Sequence, residues 1–252
     1  MVERGMAESR SQAQRLVMAG QVRAAGQVVA KASVTLSADV QLELDSGPRF
    51  VSRGGEKLAA GLENFDVNIA GQVCADLGAS TGGFTDCLLQ NGAARVYAID
   101  VGQGILHWKL RKDARVIVME GTNARYVDHL PEPIGLATID ASFISLKTLL
   151  PVVKAWFGEQ GGQVIALIKP QFEAGKKLVS RGKGVVRDPE IHRQVLGKVL
   201  TFAQSEGFGV RALLQSPVQG PKGNIEFLVH LSFPGEATHD LDDHIDQIVA
   251  TQ

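Results

Sequence analysis

The sequence predicts an α/β chain, a mainly parallel, doubly wound sheet with one antiparallel strand, preceded by a small α+β module. Three observations carry this. From Phe50 onward, apolar strand-like runs alternate with helix-like segments, the pattern of βα units in a parallel sheet. The run Cys74-Ala-Asp-Leu-Gly-Ala-Ser-Thr-Gly-Gly-Phe joins an apolar strand to a helix through glycines, where open α/β sheets bind ligands. The last two strand candidates have no helix between them, so they pair as a hairpin and one of them runs antiparallel.

The 252 residues, 26.9 kDa, suffice for one α/β domain of about 200 residues plus a small module. A hydrophobic content of 44% with 21% charged residues is ordinary globular usage and excludes disordered, collagenous and coiled-coil chains. The two cysteines, Cys74 and Cys87, stand outside any CxxC or Cys/His spacing, so neither a disulfide framework nor a zinc site is indicated. No apolar run reaches the roughly 18 residues of a membrane span, and the N-terminus lacks a signal-peptide core. A cytoplasmic protein is expected, without membrane or metal and as a monomer.

In order along the chain, residues 8–19 read as a short amphipathic helix with Ser9 as N-cap and Gly20 as its stop. Gln21-Val-Arg, Gln27-Val-Val and Val40–Leu44 alternate like short strands, with a turn near Ala32-Ser33. Residues 1–45 therefore form a first module, 46–52 a linker, 53–234 the main domain and 235–252 an acidic tail. The main domain's strand candidates are Val73–Leu77, Arg95–Ile99, Arg115–Met119, Leu136–Asp140, Gln163–Lys169, Val210–Gln215 and Glu226–Ser232. Its helix candidates are Glu56–Asn64, Phe84–Asn91, Leu146–Phe157 and Pro189–Glu206, the last with Asp188 as N-cap and Pro189 at its first position.

A formal net charge of -1 conceals segregation. Residues 1–31 hold Arg4, Arg10, Arg15, Arg23 and Lys31 against Glu3 and Glu8, a local charge of +3. Residues 169–198 hold eight cations against Glu173, Asp188 and Glu190, a local charge of +5. Glu236, Asp240, Asp242, Asp243 and Asp246 in the tail offset much of this. One such run is usually a solvated face. Two of them flanking one candidate site point to a polyanion.

The glycine loop narrows the ligand. Phe84-Thr85 stands where a phosphate-binding loop needs Lys-Ser/Thr, which disfavours a triphosphatase, and Gly78-x-x-x-Gly82-Gly83 departs from the dinucleotide spacing. Asp76 before the glycines suits a cation, and Asp100 at the end of the next strand suits ribose hydroxyls. S-adenosylmethionine, a sulfonium nucleoside without phosphates, meets both demands. Gly78, Ala79, Ser80, Gly82, Gly83 and Phe84 are its candidate loop, with Asn123 and Ala124 facing the adenine. The plain alternative is a structural βα turn.

Four polar residues fall at strand ends or edges among apolar neighbours: Lys57, Asp140, Lys169 and Glu226. Each alone reads as a salt bridge. Together at one sheet edge they read as a site. Methyl transfer from a sulfonium needs no acid for its leaving group, but a hydroxyl nucleophile must lose a proton, and a lysine oriented by carboxylates can take it.

On these motifs, and on Glu3-Arg-Gly-Met-Ala-Glu-Ser-Arg, Ser52-Arg-Gly-Gly-Glu-Lys-Leu, Asp140-Ala-Ser-Phe-Ile-Ser, Ile168-Lys-Pro-Gln-Phe-Glu and Gly220-Pro-Lys-Gly-Asn-Ile-Glu-Phe, the chain resembles the TlyA family of RNA methyltransferases along nearly its whole length. That family joins an S-four type RNA-binding domain to an FtsJ-like domain. The resemblance implies a Rossmann-like S-adenosylmethionine-dependent methyltransferase sheet and 2′-O-methylation of cytidine in 16S ribosomal RNA, 23S ribosomal RNA or both. It implies Lys57, Asp140, Lys169 and Glu226 as the catalytic tetrad, with Lys169 as the base, and ribosomal RNA or ribosomal subunits as partners. Arg4, Arg10, Arg15, Arg23, Arg53, Lys176, Lys177, Arg181 and Lys183 are the candidate RNA contacts. The family's first module begins several residues earlier with a Leu-Asp segment, so the expectation here is either a shortened first helix with weaker RNA docking or a different start codon. Two other readings stay open: a haemolysin or membrane-active protein, a label common in this family, and a non-catalytic RNA-binding ribosome-assembly factor. Phe143 is either a stacking platform for a flipped nucleotide or a core residue. Trp108 and Trp156 are expected to be packing residues.

Overall fold

A computed structural model describes residues 1–45, 47–175, 182–238 and 240–250. The chain divides into two units, Met1–Arg49 and Phe50–Gln252.

In the first unit, Ser9 accepts a hydrogen bond from the Gln12 amide at 3.2 Å and starts helix α1, Arg10–Met18. Strands β1 (Val22–Ala24), β2 (Gln27–Val28) and β3 (Leu42–Leu44) form an antiparallel sheet in the order β2-β1-β3. Ala25 and Gly26 both have positive φ, which closes the β1–β2 hairpin with a twist matching its strands. The core is small, centred on Val17, Val22 and Val29.

The second unit is the expected α/β sheet. Strands β4 (Val73–Leu77), β5 (Arg95–Ile99), β6 (Val116–Met119), β7 (Leu136–Ile139), β8 (Gly162–Ile168), β9 (Gly209–Gln215) and β10 (Phe227–Phe233) lie in the order β6-β5-β4-β7-β8-β10-β9. β10 runs antiparallel to β8 and β9, while the pairs from β6 across to β8 are parallel. The helices are α2 (Gly54–Asn64), α3 (Gly83–Gln90), α4 (Trp108–Arg111), α5 (Leu146–Lys154), α6 (Pro170–Glu173), α7 (Pro189–Ser205) and α8 (Leu241–Ala250).

Both sheet faces are buried, which is why the strands read as apolar runs. Ala75, Leu77, Tyr97 and Ile99 pack on the side of α5, α7 and α8. Cys74, Val96, Ala98 and Leu167 pack on the side of α2 and α3, among Leu58, Cys87 and Leu88. From β4 the chain winds outward through β5 and β6, then returns to place β7 on β4's other side. That reversal opens a crevice at the carboxyl ends of β4 and β7.

Element ends differ from the sequence expectation in ways that matter. β7 stops at Ile139, β8 at Ile168, and β10 starts at Phe227, so Asp140, Lys169 and Glu226 each stand one residue outside their strand. Helix α5 ends at Lys154, and Trp156 turns back into the core, donating from Nε1 to the Val127 carbonyl at 2.9 Å. The stretch read as an acidic tail contains α8, whose Leu241, Ile245 and Val249 recur every fourth residue on one buried face. The acids occupy the other face, where Asp246 pairs with Arg193 of α7.

Ile245 is 1% exposed. Ile245→Ala is expected to destabilise the protein by about 2–4 kcal/mol, read as a lowered midpoint in urea with unchanged slope.

Candidate active site

The crevice becomes a site because three chain segments meet at the carboxyl edge of the sheet. The loop after β4 rises through Gly78, whose φ of +81° is left-handed and where a Cβ would lie 2.9 Å from the Asp140 carbonyl oxygen. Only glycine lets the β4 and β7 loops approach so closely. Gly83, at the start of α3, sits against the start of α2 in the same way: a Cβ there would lie 2.3 Å from Ser52 Oγ and 2.7 Å from the Gly55 amide. Asp86 of α3 then accepts the Val51 amide at 2.9 Å. This contact aims the first turn of α2, and Lys57 with it, at the sheet edge.

The four polar residues come together as two ion pairs around a cavity of about 370 Å³. Lys57 Nζ is 2.5 Å from Glu226 Oε2, with the lysine 8% and the glutamate 1% exposed. The second oxygen, Glu226 Oε1, accepts from Gln171 Nε2 at 3.0 Å. Lys169 Nζ is 2.6 Å from Asp140 Oδ1, and its aligned hydrogen bonds go to the Asp140 carbonyl and Ser142 Oγ, each at 3.3 Å. Asp140 is the most open of the four, its side chain 20% exposed. All four line the cavity, with Arg53, Gly78, Ala79, Ser80, Gly83 and Phe84.

Not every residue singled out from the sequence reaches that cavity. Asp76 does not line it. Its carboxylate is fully buried and accepts from Thr85 Oγ1 at 2.7 Å and Thr138 Oγ1 at 3.1 Å, binding α3 to β7 beneath the loop. Burial pushes its carboxyl up to about 7, against the pull of those two hydroxyls. Gly82 lies under Leu106 and Leu110. Asp100, beyond β5, accepts from the Ser80 amide at 2.8 Å and the Gly102 amide at 2.7 Å, so it shapes the glycine loop from the side. Asn123 caps the 3-10 turn Ala124–Tyr126 through the Arg125 amide, and Ala124 packs on the core. The residues present fit S-adenosylmethionine. Gly78, Ala79, Ser80, Gly83 and Phe84 border the cavity, Asp100 holds that loop through the Ser80 amide, and no lysine sits in the loop to demand a phosphate.

Of the candidate RNA contacts, Arg10 and Arg15 are exposed on α1, and Lys183 is exposed in the second unit. Arg4 instead donates to the Val40 and Ala38 carbonyls, and Arg23 donates to the Gly26 carbonyl and pairs with Asp45 at 3.8 Å. Lys176, Lys177 and Arg181 lie outside the described residues. Among the described residues, no three acidic, histidine or cysteine side chains converge as metal ligands, and no helix is long and apolar enough to cross a membrane.

The structure gives roles to residues that the sequence marks only as part of the Ile168-Lys-Pro-Gln-Phe-Glu motif. Gln171, Phe172 and Glu173 follow Lys169-Pro170 in one helical turn, and each reaches a different part of the site. Gln171 holds Glu226. The Phe172 ring lies 5.8 Å from Lys169 Nζ and 4.9 Å from the Phe143 ring. Glu173 accepts from Ser145 Oγ at 2.6 Å and the Leu146 amide at 2.8 Å, which fixes the far end of the Asp140 loop. Phe143 is 89% exposed with φ +63°, so the core-residue alternative is overturned. Trp156 is buried as expected, but Trp108 is 64% exposed, because Leu106 and Leu110 take the inward side of its turn.

A family model described as FtsJ-like methyltransferase matches residues 50–233, and one described as S4 domain matches residues 1–42. A Bacillus subtilis protein, "Putative rRNA methyltransferase YqxC", is 48% identical over 240 residues, covering 94% of this chain and 85% of that protein. "16S/23S rRNA (cytidine-2'-O)-methyltransferase TlyA" of Mycobacterium tuberculosis is 44% identical over 237 residues, covering 92% of this chain and 87% of that protein. The solved structure of a "Putative hemolysin" from Streptococcus thermophilus is 44% identical, with a TM-score of 0.74 over 98% of this chain and 92% of that one.

Asp76 links the site to pH. The unfolded chain loses this proton near the ordinary value of 3.8, whereas the folded protein keeps it to about 7. Between those values the folded state binds more protons, so the group's contribution to stability falls as pH rises and is level above 7. Asp76→Asn removes that slope, at most about 1.4 kcal/mol per pH unit. Thermal midpoints measured from pH 4 to 8 are expected to fall less for the variant than for the parent.

Proposed function

This chain belongs to the FtsJ-like methyltransferase family and carries an S4 domain, and from that premise we propose that it methylates the 2′-hydroxyl of cytidine in 16S or 23S ribosomal RNA. One observation carries the reading. Both ion pairs, Lys57–Glu226 and Lys169–Asp140, open into the same cavity as the glycine loop.

When bound, S-adenosylmethionine supplies an electrophilic methyl group on a sulfonium that leaves as a neutral thioether. The loop from Gly78 to Phe84 is its seat, with Asp100 beside it and Asn123 and Ala124 toward the adenine. Lys169 Nζ, in its neutral form, takes the proton from the ribose hydroxyl as the oxygen attacks. Asp140 and Ser142 keep that nitrogen pointed into the cavity, and Asp140, the most open of the tetrad, steadies the ammonium that results. Lys57 is held by a carboxylate that Gln171 immobilises, and its role is to orient the hydroxyl. Arg53 on the cavity wall takes a phosphate of the bound strand.

Phe143 completes the arrangement. A non-glycine residue at φ +63° with its ring in water carries backbone strain, which persists only where the surroundings impose it. Its contact with Phe172 places a ring beside Lys169, where an extruded cytosine stacks. The basic face of α1 supplies sequence-independent grip on the RNA backbone. The enzyme acts in the cytoplasm as a monomer on ribosomal RNA or on ribosomal subunits.

Transfer of labelled methyl groups to naked ribosomal RNA and to isolated subunits, followed by nucleoside analysis, tests the reading. A 2′-O-methylcytidine product is expected from the parent protein. Lys169→Ala is the informative variant, because Lys57→Ala would strand a glutamate that is 1% exposed and confound activity with folding. It is expected to lower the rate by about 10²–10⁴-fold with retained S-adenosylmethionine binding. Full activity in that variant excludes the assigned base, and RNA binding without any transfer by the parent favours the assembly-factor reading. Phe143→Ala is expected to lower kcat/KM by about tenfold with an unchanged thermal midpoint.

A further inference from the structure

The loop between β5 and α4, with α4 itself, carries large apolar side chains that the fold leaves in water. Val101 is 68%, Ile105 41% and Trp108 64% exposed. Helical spacing accounts for the tryptophan: Leu110 is 1% exposed, and Trp108, two residues earlier, stands about 200° away round the same turn. Exposure of that extent means the fold gains little from the indole.

The turn is nevertheless fixed in place. The His107 amide donates to the Thr81 carbonyl at 3.1 Å, and Thr81 lines the catalytic cavity. Leu110 and Leu106 fill the space over Gly82, where a Cβ would lie 2.1 Å and 2.9 Å from their Cδ1 atoms. Lys109 reaches Asp86 of α3 at 3.6 Å. Trp108 is therefore carried by a turn fixed to the glycine loop, next in sequence to the residue that holds the cavity-lining Thr81.

Its surroundings are cationic. Residues 101–112 contain His107, Lys109, Arg111 and Lys112 and no acid. Arg111 is paired with Glu120 at 2.5 Å, whereas Lys112 has no carboxylate partner among the described residues and holds Nζ 5.2 Å from the indole centre. An exposed indole with an unpaired lysine over it suits an unpaired nucleotide, with the base on the ring and a phosphate on Lys112. A membrane surface fits less well. Helix α4 has four residues, too few for an interfacial amphipathic helix, and glycines and cations interrupt the apolar side chains.

We propose that Trp108 is a second stacking platform for RNA, taking an unpaired nucleotide that flanks the one entering the cavity, with Lys112 on its phosphate. The proposal rests on the RNA methyltransferase reading above and extends its binding surface beyond the tetrad, the glycine loop and Phe143.

The chain's two tryptophans make the test direct. Trp156 is 2% exposed and Trp108 64%, so the red edge of the emission reports Trp108. The full-length protein is titrated with a labelled, unstructured, cytidine-rich oligoribonucleotide of about twelve nucleotides, following anisotropy and tryptophan emission together. It is titrated separately with phosphatidylcholine–phosphatidylglycerol vesicles. RNA is expected to quench the red-edge emission. Trp108→Ala is expected to abolish that quench and weaken binding about five- to tenfold, and Trp108→Phe to restore most of the affinity. Lys112→Ala is expected to reduce the salt dependence of binding by about one phosphate contact. The side chain's exposure predicts unchanged thermal midpoints for all three variants. RNA binding that leaves Trp108 emission and the Trp108→Ala affinity unchanged overturns this proposal alone. A blue shift with vesicles and no response to RNA overturns it in favour of a membrane contact. No RNA binding, together with no methyl transfer to any ribosomal RNA, removes the underlying reading as well.

Discussion

The ion pair between Lys57 and Glu226 sets the terms for the second unit. Glu226 is 1% exposed, and a charge so placed is tolerated only when each of its oxygens has a partner. Lys57 must come from α2 and the second donor, Gln171, from the turn after β8. The topology follows from the same demand. The cavity lies at the carboxyl ends of the parallel strands, while Glu226 precedes its own strand. Only an antiparallel β10 brings a strand's beginning to that edge. The single reversed strand is thus the means by which a carboxylate ahead of β10 meets a lysine ahead of the sheet.

The second pair depends on its neighbours differently. Lys169 has one open partner, Asp140, and two weaker acceptors, so its nitrogen is directed without being enclosed. What keeps the two pairs in register is the turn Pro170–Glu173. Consecutive side chains there hold Glu226, abut Phe143 and Lys169, and cap the start of α5 at the end of the Asp140 loop. A displacement of this turn moves both lysines and the exposed phenylalanine at once, and mutual orientation of this kind is what a proton transfer requires.

Much of this is legible in the residues. The strands are readable because two buried faces leave continuous apolar runs, and Asp140, Lys169 and Glu226 because charged residues among apolar neighbours at strand ends need a reason to be there; Lys57, expected at a strand end or edge, stands instead in helix α2. Asp76 departs from its expected place because a sequence does not say which way a side chain faces. Leu77 still lies within β4, so Asp76 points into a sheet face beneath α3, whereas Asp140 already stands beyond β7. Helix α8 is hidden by its acids, although Leu241, Ile245 and Val249 keep a four-residue period that reveals it. Gln171 belongs to the Ile168-Lys-Pro-Gln-Phe-Glu motif, but nothing in that run gives it a role: a glutamine near a strand end is commonplace, and only the fold brings it to Glu226. Trp108 reads as a packing residue when its size is weighed without its helical phase.

The near-contact at Gly78 has a consequence for how such a protein can diverge. Because the β4 and β7 loops touch backbone to backbone there, neither can be lengthened or re-angled without the other yielding, and a substitution at the glycine disturbs both. The exposed periphery, by contrast, including Arg53, Phe143, the Trp108 turn and the cavity-bordering Val218, Gln219 and Pro221, is free of that backbone contact. Any reshaping of the crevice on this plan is a joint movement of both loops or none.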